Sequence, residues 1–248
     1  MEFNTKSLKL LQRLYSIYVI LIFGVLFFLF SPLLILCSLH IRWHKIALRI
    51  NHFWAIIFFK ISFMPYCIEW GFKPQKDQQY ILCANHFSYL DIPSMGLIPI
   101  PFKFIGKSSL TTIPLFGFMY NRLHITVNRS SLKSKKESLA KSRKAAKNGF
   151  NLAFFPEGGI VTSSPPKMSP FKDGAFVLAT EQQIPILPIV FLDNYKILPD
   201  DDQFLLERKR CRIKILSPIF PKSSDKSCME ELKSITYAQI QSEIDHSI

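Results

Sequence analysis

The sequence predicts an α/β domain with a mainly parallel sheet flanked by helices, preceded by an N-terminal membrane-associating helical segment. From about residue 80 onward, short apolar runs alternate with amphipathic ones, a pattern typical of strands that alternate with helices. The first 63 residues contain two long apolar stretches instead. A length of 248 residues is sufficient for one such domain and a small appendage. We therefore divide the chain into residues 1–63, with the anchor and interfacial helices, and residues 64–248, with the α/β domain.

The first apolar stretch, Leu14 to Leu39, contains no charged residue. As a helix it would be roughly 39 Å long, enough to cross a hydrocarbon core of about 30 Å. It is too long for the apolar region of a signal peptide, and no small-residue cleavage site follows it, so we expect it to remain as an anchor. Pro32 can kink such a helix, which leaves both a spanning helix and a surface-lying one open.

A second apolar stretch, Ile46 to Phe63, is interrupted by polar residues at helical spacing. This pattern fits an interfacial helix and fits equally a helix packed on the globular domain. The strongly basic globular part favours the cytoplasmic side of the membrane for that domain.

The net charge is +13, from 31 basic and 18 acidic residues, and 48% of the residues are hydrophobic. So large a positive charge indicates an anionic partner, and the apolar content favours a membrane surface over nucleic acid. Between Arg129 and Lys147 there are eight basic residues and one acidic residue. This run is either a solvated helix face or a polybasic surface for acidic lipids or an acidic carrier protein. No nucleic-acid recognition motif is present, so no nucleic-acid partner is expected.

The alternation after residue 80 predicts six strands and five helices. The strands are Tyr80–Ala84, Phe102–Gly106, His124–Asn128, Leu152–Phe155, Ile186–Phe191 and Arg212–Leu216. The helices are Ile92–Leu97, Ser109–Asn121, Leu132–Asn148, Gly174–Gln182 and Cys228–Ile244. Five cysteines, an odd number without a C-x-x-C pair, argue against a disulfide framework and a structural zinc site, so no metal is expected.

The segment from Asn85 to Asp91 is the best candidate for chemistry. It places His86 and Asp91 five residues apart, directly after a buried strand and just before Pro93, a residue favoured in the first turn of a helix. A carboxylate there can turn back, fix the imidazole tautomer and stabilise the imidazolium. Since no serine or cysteine nucleophile motif accompanies the pair, His86 is best interpreted as a general base acting on a substrate hydroxyl. The alternative is that both are surface or capping residues.

Four blocks together resemble the glycerolipid acyltransferases, the family that contains 1-acylglycerol-3-phosphate acyltransferases. Asn85-His86 with Asp91 resembles its N-H-x-x-x-x-D signature, and Phe154 to Gly158 resembles its F-P-E-G block. Ile125 to Arg129 is similar to the strand that ends in its substrate-binding arginine, and Ile184 to Ile189 to its last block. Two departures occur: Leu123 and His124 replace a usual glycine, and Gly159-Ile160 replaces the usual Thr-Arg.

The resemblance implies transfer of a fatty acyl group from acyl-CoA or acyl carrier protein to the hydroxyl of a lysophospholipid, without a cofactor. It implies that His86 is the base, that Asp91 orients it, and that Arg129 pairs with the acceptor phosphate. Glu157, Gly158 and Gly159 are expected to complete the acceptor pocket. Because the second arginine is missing, a lyso-aminolipid without phosphate is an alternative acceptor. A non-catalytic membrane tether and a hydrolase that uses water remain alternatives from other classes.

Overall fold

Two long helices open the chain in a computed structural model that describes residues 2–75, 77–162, 164–201 and 203–247. Helix α1 spans Glu2–Ser38 and continues through Pro32, and helix α2 spans His44–Ile61. A 3-10 turn at Ile41–Trp43 joins them. Both apolar stretches are therefore helical. Within the described residues, Ser7–Ser38 is the one helical segment long and apolar enough to cross a membrane.

In the described part of the chain, seven strands form one sheet, in the order β1-β7-β6-β2-β5-β3-β4. The strands are β1 Tyr66–Trp70, β2 Ile81–Ala84, β3 Phe102–Lys107, β4 Ile125–Val127, β5 Asn151–Phe154, β6 Ile186–Phe191 and β7 Cys211–Ile215. All neighbours pair in parallel except β6 and β7, which are antiparallel. The predicted mainly parallel sheet is confirmed. The carboxyl ends of β2 to β6 consequently meet at one edge, where sites form in such sheets.

The described residues contain six further α-helices: α3 Asp91–Met95, α4 Phe116–Leu123, α5 Leu132–Lys147, α6 Gly174–Gln182, α7 Asn194–Ile197 and α8 Lys226–Asp245. Helices α5, α6 and α8 cover one face of the sheet, and α1 and α2 cover the other. Alternate residues of β2 enter the two layers: Ile81 and Cys83 face one, Leu82 and Ala84 the other. A strand buried on both faces reads as a continuous apolar run, which is why β2 was recognisable in the sequence.

Helix α2 packs on the globular domain, which is one of the two interpretations of the second apolar stretch. Ala55, Phe58 and Phe59 are buried in the core that α2 shares with β2 and β6, whereas Phe53 is 60% exposed. Helix α1 is tied to the same layer, since the Tyr15 hydroxyl donates to the Ser62 carbonyl at 3.0 Å. Helices α1 and α2 therefore cover one face of the sheet as well as presenting apolar side chains to the outside.

Three elements differ from those predicted. Strand β1 was missed because the short edge sequence Tyr66–Trp70 alternates poorly between buried and exposed positions. The predicted helix Ser109–Asn121 is a 3-10 turn, Ser108–Thr112, followed by α4. Pro114 causes this break, because the residue before a proline, here Ile113, is driven to extended backbone angles. The single-turn helix α7 is too short to show periodicity.

We expect Phe59→Ala to lower the free energy of unfolding by about 3–5 kcal/mol, the cost of emptying a fully buried aromatic site. That loss corresponds to a fall of roughly 6–20 °C in the thermal midpoint of a protein this size, measured in detergent. Phe53→Ala, on the same helix, is the matched control and should change the midpoint little. Equal midpoints for the two variants would contradict the packing of α2 on the sheet.

Candidate active site

The loop between β2 and α3 starts from a fixed position. The Asn85 side chain donates to the Phe191 carbonyl at 3.0 Å and accepts from the Phe191 N–H at 2.8 Å. Both bonds are fully buried, and they join the end of β2 to the end of β6. The backbone that carries His86 is therefore anchored to the sheet at its first residue.

His86 and Asp91 lie in contact, as the spacing predicts. His86 Nδ1 is 3.0 Å from Asp91 Oδ2, and the same oxygen accepts the backbone N–H groups of Phe87 at 2.8 Å and Ser88 at 2.9 Å. Asp91 opens α3 and has no exposed surface. A carboxylate acceptor requires the proton on Nδ1, so the other ring nitrogen, Nε2, carries the free lone pair in a neutral imidazole.

A cavity of about 840 Å³ lies in front of the imidazole. His86 is one wall, and its ring stacks on Phe155 with centroids 4.0 Å apart. Phe155 directly follows β5 in the chain, so this contact brings the ends of two neighbouring strands together. The stacking restricts rotation of the ring and complements the hydrogen bond to Asp91.

Glu157 lies behind the site, which corrects its predicted place in the acceptor pocket. Its two carboxylate oxygens accept the backbone N–H groups of His86 at 2.7 Å and Ser169 at 2.8 Å, and the residue is 2% exposed. Burial raises the pKa of this carboxyl to about 7, although the two N–H donors act in the opposite direction. Glu157 thus joins the His86 loop to the segment after β5, and its oxygens face backbone rather than the cavity.

Gly158 and Gly159 line the cavity together with Arg129. Gly159 has a φ of +152°, and a Cβ there would lie 3.0 Å from Arg129 Nη1. A side chain at this position would therefore strain the backbone and press on the guanidinium. Arg129 is half-buried, and burial lowers its pKa, but an arginine remains charged at any ordinary pH.

Lys107 and Lys103 lie on the same strand but have different surroundings. Lys107, at the carboxyl end of β3, is exposed and lines the cavity with Arg129. Lys103 is buried, and its Nζ lies 2.9 Å from His44 Nδ1 and 2.7 Å from the Leu123 carbonyl. Burial lowers the pKa of Lys103 to about 8. Only Lys107 of this pair faces the cavity.

A smaller apolar cavity of about 170 Å³ adjoins the larger one. The two share Phe104, Phe116 and Tyr120 among their walls. Helix α1 contributes to both through Phe23. A larger cavity that has Arg129 and Lys107 among apolar walls, together with an apolar extension, suits a ligand that carries both a charged head and a hydrocarbon chain.

Sequence reasoning missed one polar neighbour of Asp91. The Asn194 side chain donates to Asp91 Oδ1 at 2.8 Å, although 103 residues separate the two in sequence. No local pattern could have found this contact, because it depends on β6 and β2 being neighbours in the sheet.

This chain resembles known proteins both in sequence and in fold. The sequence profile of the acyltransferase family matches residues 72–192. The chloroplast 1-acyl-sn-glycerol-3-phosphate acyltransferase BAT2 of Brassica napus is 28% identical over 92% of this chain and 68% of that protein. The chloroplast 1-acyl-sn-glycerol-3-phosphate acyltransferase LPAT1 of Arabidopsis thaliana is 28% identical over 94% of this chain and 67% of that protein.

The fold is that of a solved crystal structure, the 1-acyl-sn-glycerophosphate acyltransferase PlsC from Thermotoga maritima. The two superpose with a TM-score of 0.77, covering 96% of this chain and 97% of that one, at 22% sequence identity. The likeness includes the long N-terminal helices, since it extends over nearly the whole chain.

The raised pKa of Glu157 predicts a pH-dependent contribution to stability. Its value of about 7 in the folded protein exceeds the ordinary value of 4.5, so the folded state holds this proton more tightly than the unfolded state does. The contribution is therefore fully present below about pH 4.5 and is lost as the pH rises to about 7.

Relative to Glu157→Gln, which does not ionise, the wild type should lose roughly 1–3 kcal/mol of unfolding free energy over that range. Thermal midpoints of both proteins in detergent between about pH 5 and 8 measure this. A difference between them that stays constant with pH would refute the buried, proton-holding carboxyl.

Proposed function

We propose that this chain, an O-acyltransferase whose residues 72–192 match the acyltransferase family, acylates the free hydroxyl of 1-acylglycerol-3-phosphate, giving phosphatidic acid. The observation that carries this proposal is the contact between His86 and Asp91 on the wall of a cavity that also contains Arg129. The match over residues 72–192 sets aside the alternative of a non-catalytic membrane tether.

His86 is the general base in the proposed reaction. With Nδ1–H donated to Asp91, Nε2 accepts the acceptor's hydroxyl proton as the hydroxyl oxygen attacks the thioester carbonyl. The tetrahedral intermediate then collapses, the C–S bond breaks, and the imidazolium returns the proton to the leaving thiolate. The buried carboxylate of Asp91 stabilises the imidazolium in between. Transfer is direct, with no acyl-enzyme and no bound cofactor.

Arg129 and Lys107 form the proposed phosphate site. Both cations line the cavity that contains His86, and the described residues include no carboxylate paired with either of them. A phosphate bound there would form charge-assisted contacts. Lys107 supplies a second cation in place of the arginine that the family usually has at the position of Ile160. This second cation favours a phosphate-bearing acceptor over a lyso-aminolipid.

The donor is proposed to be a thioester, acyl-CoA or acyl carrier protein. The small apolar cavity beside the site has the chemistry to accept part of a hydrocarbon chain, with Phe104 and Tyr120 at the junction. An acyl chain held there would present its carbonyl to the larger cavity, where the hydroxyl and His86 meet.

We also propose that the protein is attached to the cytoplasmic face of a membrane through α1. The outward side of this helix exposes many apolar side chains, among them Leu11, Leu21, Phe28 and Leu29. Its other side packs on α2 and α4 from Tyr15 to Phe27, for example through the contact of Phe27 with Phe116. This packing supports a helix that lies in one leaflet. A helix that crosses the bilayer would draw the sheet domain packed along it into the hydrocarbon core.

We expect His86→Ala to lower the rate of acyl transfer by about 10²–10⁴, the usual value of a general base. Asp91→Asn should be nearly as damaging, because it mis-sets the imidazole tautomer. The assay supplies purified protein in detergent with lysophosphatidic acid and each acyl donor in turn. His246→Ala, which changes an exposed histidine directly after α8, is the control and should retain full activity. Near-normal turnover in a folded His86→Ala variant would refute the assignment of the base.

The phosphate site predicts a change in KM rather than in kcat. Arg129→Ala should raise the KM for lysophosphatidic acid about 10- to 100-fold, the loss of a charge-assisted contact of roughly 1.5–3 kcal/mol. Lys107→Ala should raise it less, because its ammonium is exposed. Lys136→Ala, an exposed lysine on α5, is the matched control.

An Arg129→Ala enzyme with an unchanged KM would argue for a phosphate-free acceptor. Testing a lyso-aminolipid in the same assay then distinguishes the two acceptors. Lys103→Ala should lower thermal stability rather than raise KM, since Lys103 bonds to His44 and the end of α4.

A further inference from the structure

The side chain of Asn194 lies directly beneath the pair formed by His86 and Asp91. It follows β6, at the start of α7, and is 1% exposed. Its Nδ2 lies 2.8 Å from Asp91 Oδ1 and 3.0 Å from Ser94 Oγ, and its Oδ1 lies 3.0 Å from Cys211 Sγ. The amide thus joins the pair to α3 and to β7.

The two oxygens of Asp91 are satisfied in different ways. Oδ2 accepts three donors from its own loop, the His86 ring and the backbone N–H groups of Phe87 and Ser88. Within the described part of the chain, Asn194 supplies the hydrogen bond found at Oδ1. A fully buried carboxylate depends on such donors for its charge, and a donor at Oδ1 also sets the rotation of the group.

The neighbours of Asn194 determine which end of its amide faces Asp91. Ser94 Oγ donates its proton to the Leu90 carbonyl at 2.7 Å, so it is left as an acceptor for Nδ2. The Cys211 thiol donates to Oδ1, and burial raises the pKa of that thiol to about 12, so it keeps its proton. A flipped amide would place its carbonyl oxygen against the carboxylate and against Ser94 Oγ.

We propose that Asn194 is a positioning residue for acyl transfer, which holds the Asp91 carboxylate turned so that Oδ2 receives Nδ1–H of His86. The inference rests on the proposed function, since it needs His86 to act as the base. Asn194 takes part without touching either substrate, and its effect passes through Asp91 to the imidazole.

Asn194→Ala should lower kcat about 10- to 100-fold and leave the KM for lysophosphatidic acid unchanged, as losses of supporting hydrogen bonds commonly do. Asn151→Ala is the matched control. That amide makes two hydrogen bonds against three for Asn194, accepting from the Tyr80 N–H and donating to the Pro101 carbonyl, and it lies at the opposite end of β5. It should lose stability with little change in kcat.

Asn194→Asp provides a readout that a purely structural role would not move. Protonated, the introduced carboxyl can donate to Asp91 Oδ1; ionised, it repels the Asp91 charge. Of two carboxyls sharing a site, one has a strongly raised pKa. Relative to wild type, kcat should therefore fall as the pH rises, by about tenfold per unit above that pKa. The other titratable groups nearby, His86, Glu157, Cys211 and the ion pair of Asp193 with Arg212, are the same in both proteins.

His86→Ala, measured alongside, separates the two possible failures. If His86→Ala is inactive while folded Asn194→Ala keeps normal kcat, and Asn194→Asp tracks the wild type at every pH, the role of Asn194 is refuted and the proposed function stands. If His86→Ala retains activity, the proposed function itself fails. The positioning role is supported if His86→Ala is inactive, Asn194→Ala loses kcat, and the kcat of Asn194→Asp falls relative to wild type as the pH rises.

Discussion

The site depends on one constraint, which is that the carboxylate of Asp91 must be stabilised without exposure to water. Its charge is tolerable in the interior only because four N–H groups point at it, from His86, Phe87, Ser88 and Asn194. Three come from one tight loop, and the fourth comes from the end of a neighbouring strand. The parallel arrangement of β2 and β6 is what brings these ends together. The sheet therefore serves the chemistry mainly by making one ionised group stable where water is excluded.

The N-terminal helices take part in the site as well as in the proposed membrane attachment. Val19, Ile20 and Phe23 of α1 are walls of the cavity that His86 faces, and the opposite side of the same helix exposes apolar side chains. In the proposed reaction, a lipid acceptor and an acyl chain would thus meet the base beside the helix that is proposed to contact the bilayer. This arrangement is consistent with Arg129 and Lys107 lying among apolar walls, because a phosphate group beside a hydrocarbon chain needs cations next to apolar walls.

The sequence was sufficient to predict the mainly parallel sheet, the six strands after residue 80 and the contact of His86 with Asp91, because local sequence patterns encode each of them. Strand β1 could not be predicted, since a short edge strand lacks clear alternation. The position of Glu157 was predicted wrongly: motif matching places a residue near a site but does not say which way its side chain turns. Asn194 and the difference between Lys103 and Lys107 depend on packing between distant segments, which no single-sequence pattern records.

The central claim is that Asp91 fixes the tautomer of His86 with Nδ1 protonated and Nε2 free toward the cavity. Nitrogen-15 NMR of histidine-labelled protein in detergent, recorded at a pH where the His86 signals are those of a neutral ring, measures this directly. The His86 signals are assigned by their absence in His86→Gln. The account predicts a protonated Nδ1 and an unprotonated Nε2 in the wild type, and a mixture of tautomers in Asp91→Asn. A proton on Nε2 of the neutral wild-type imidazole would contradict it.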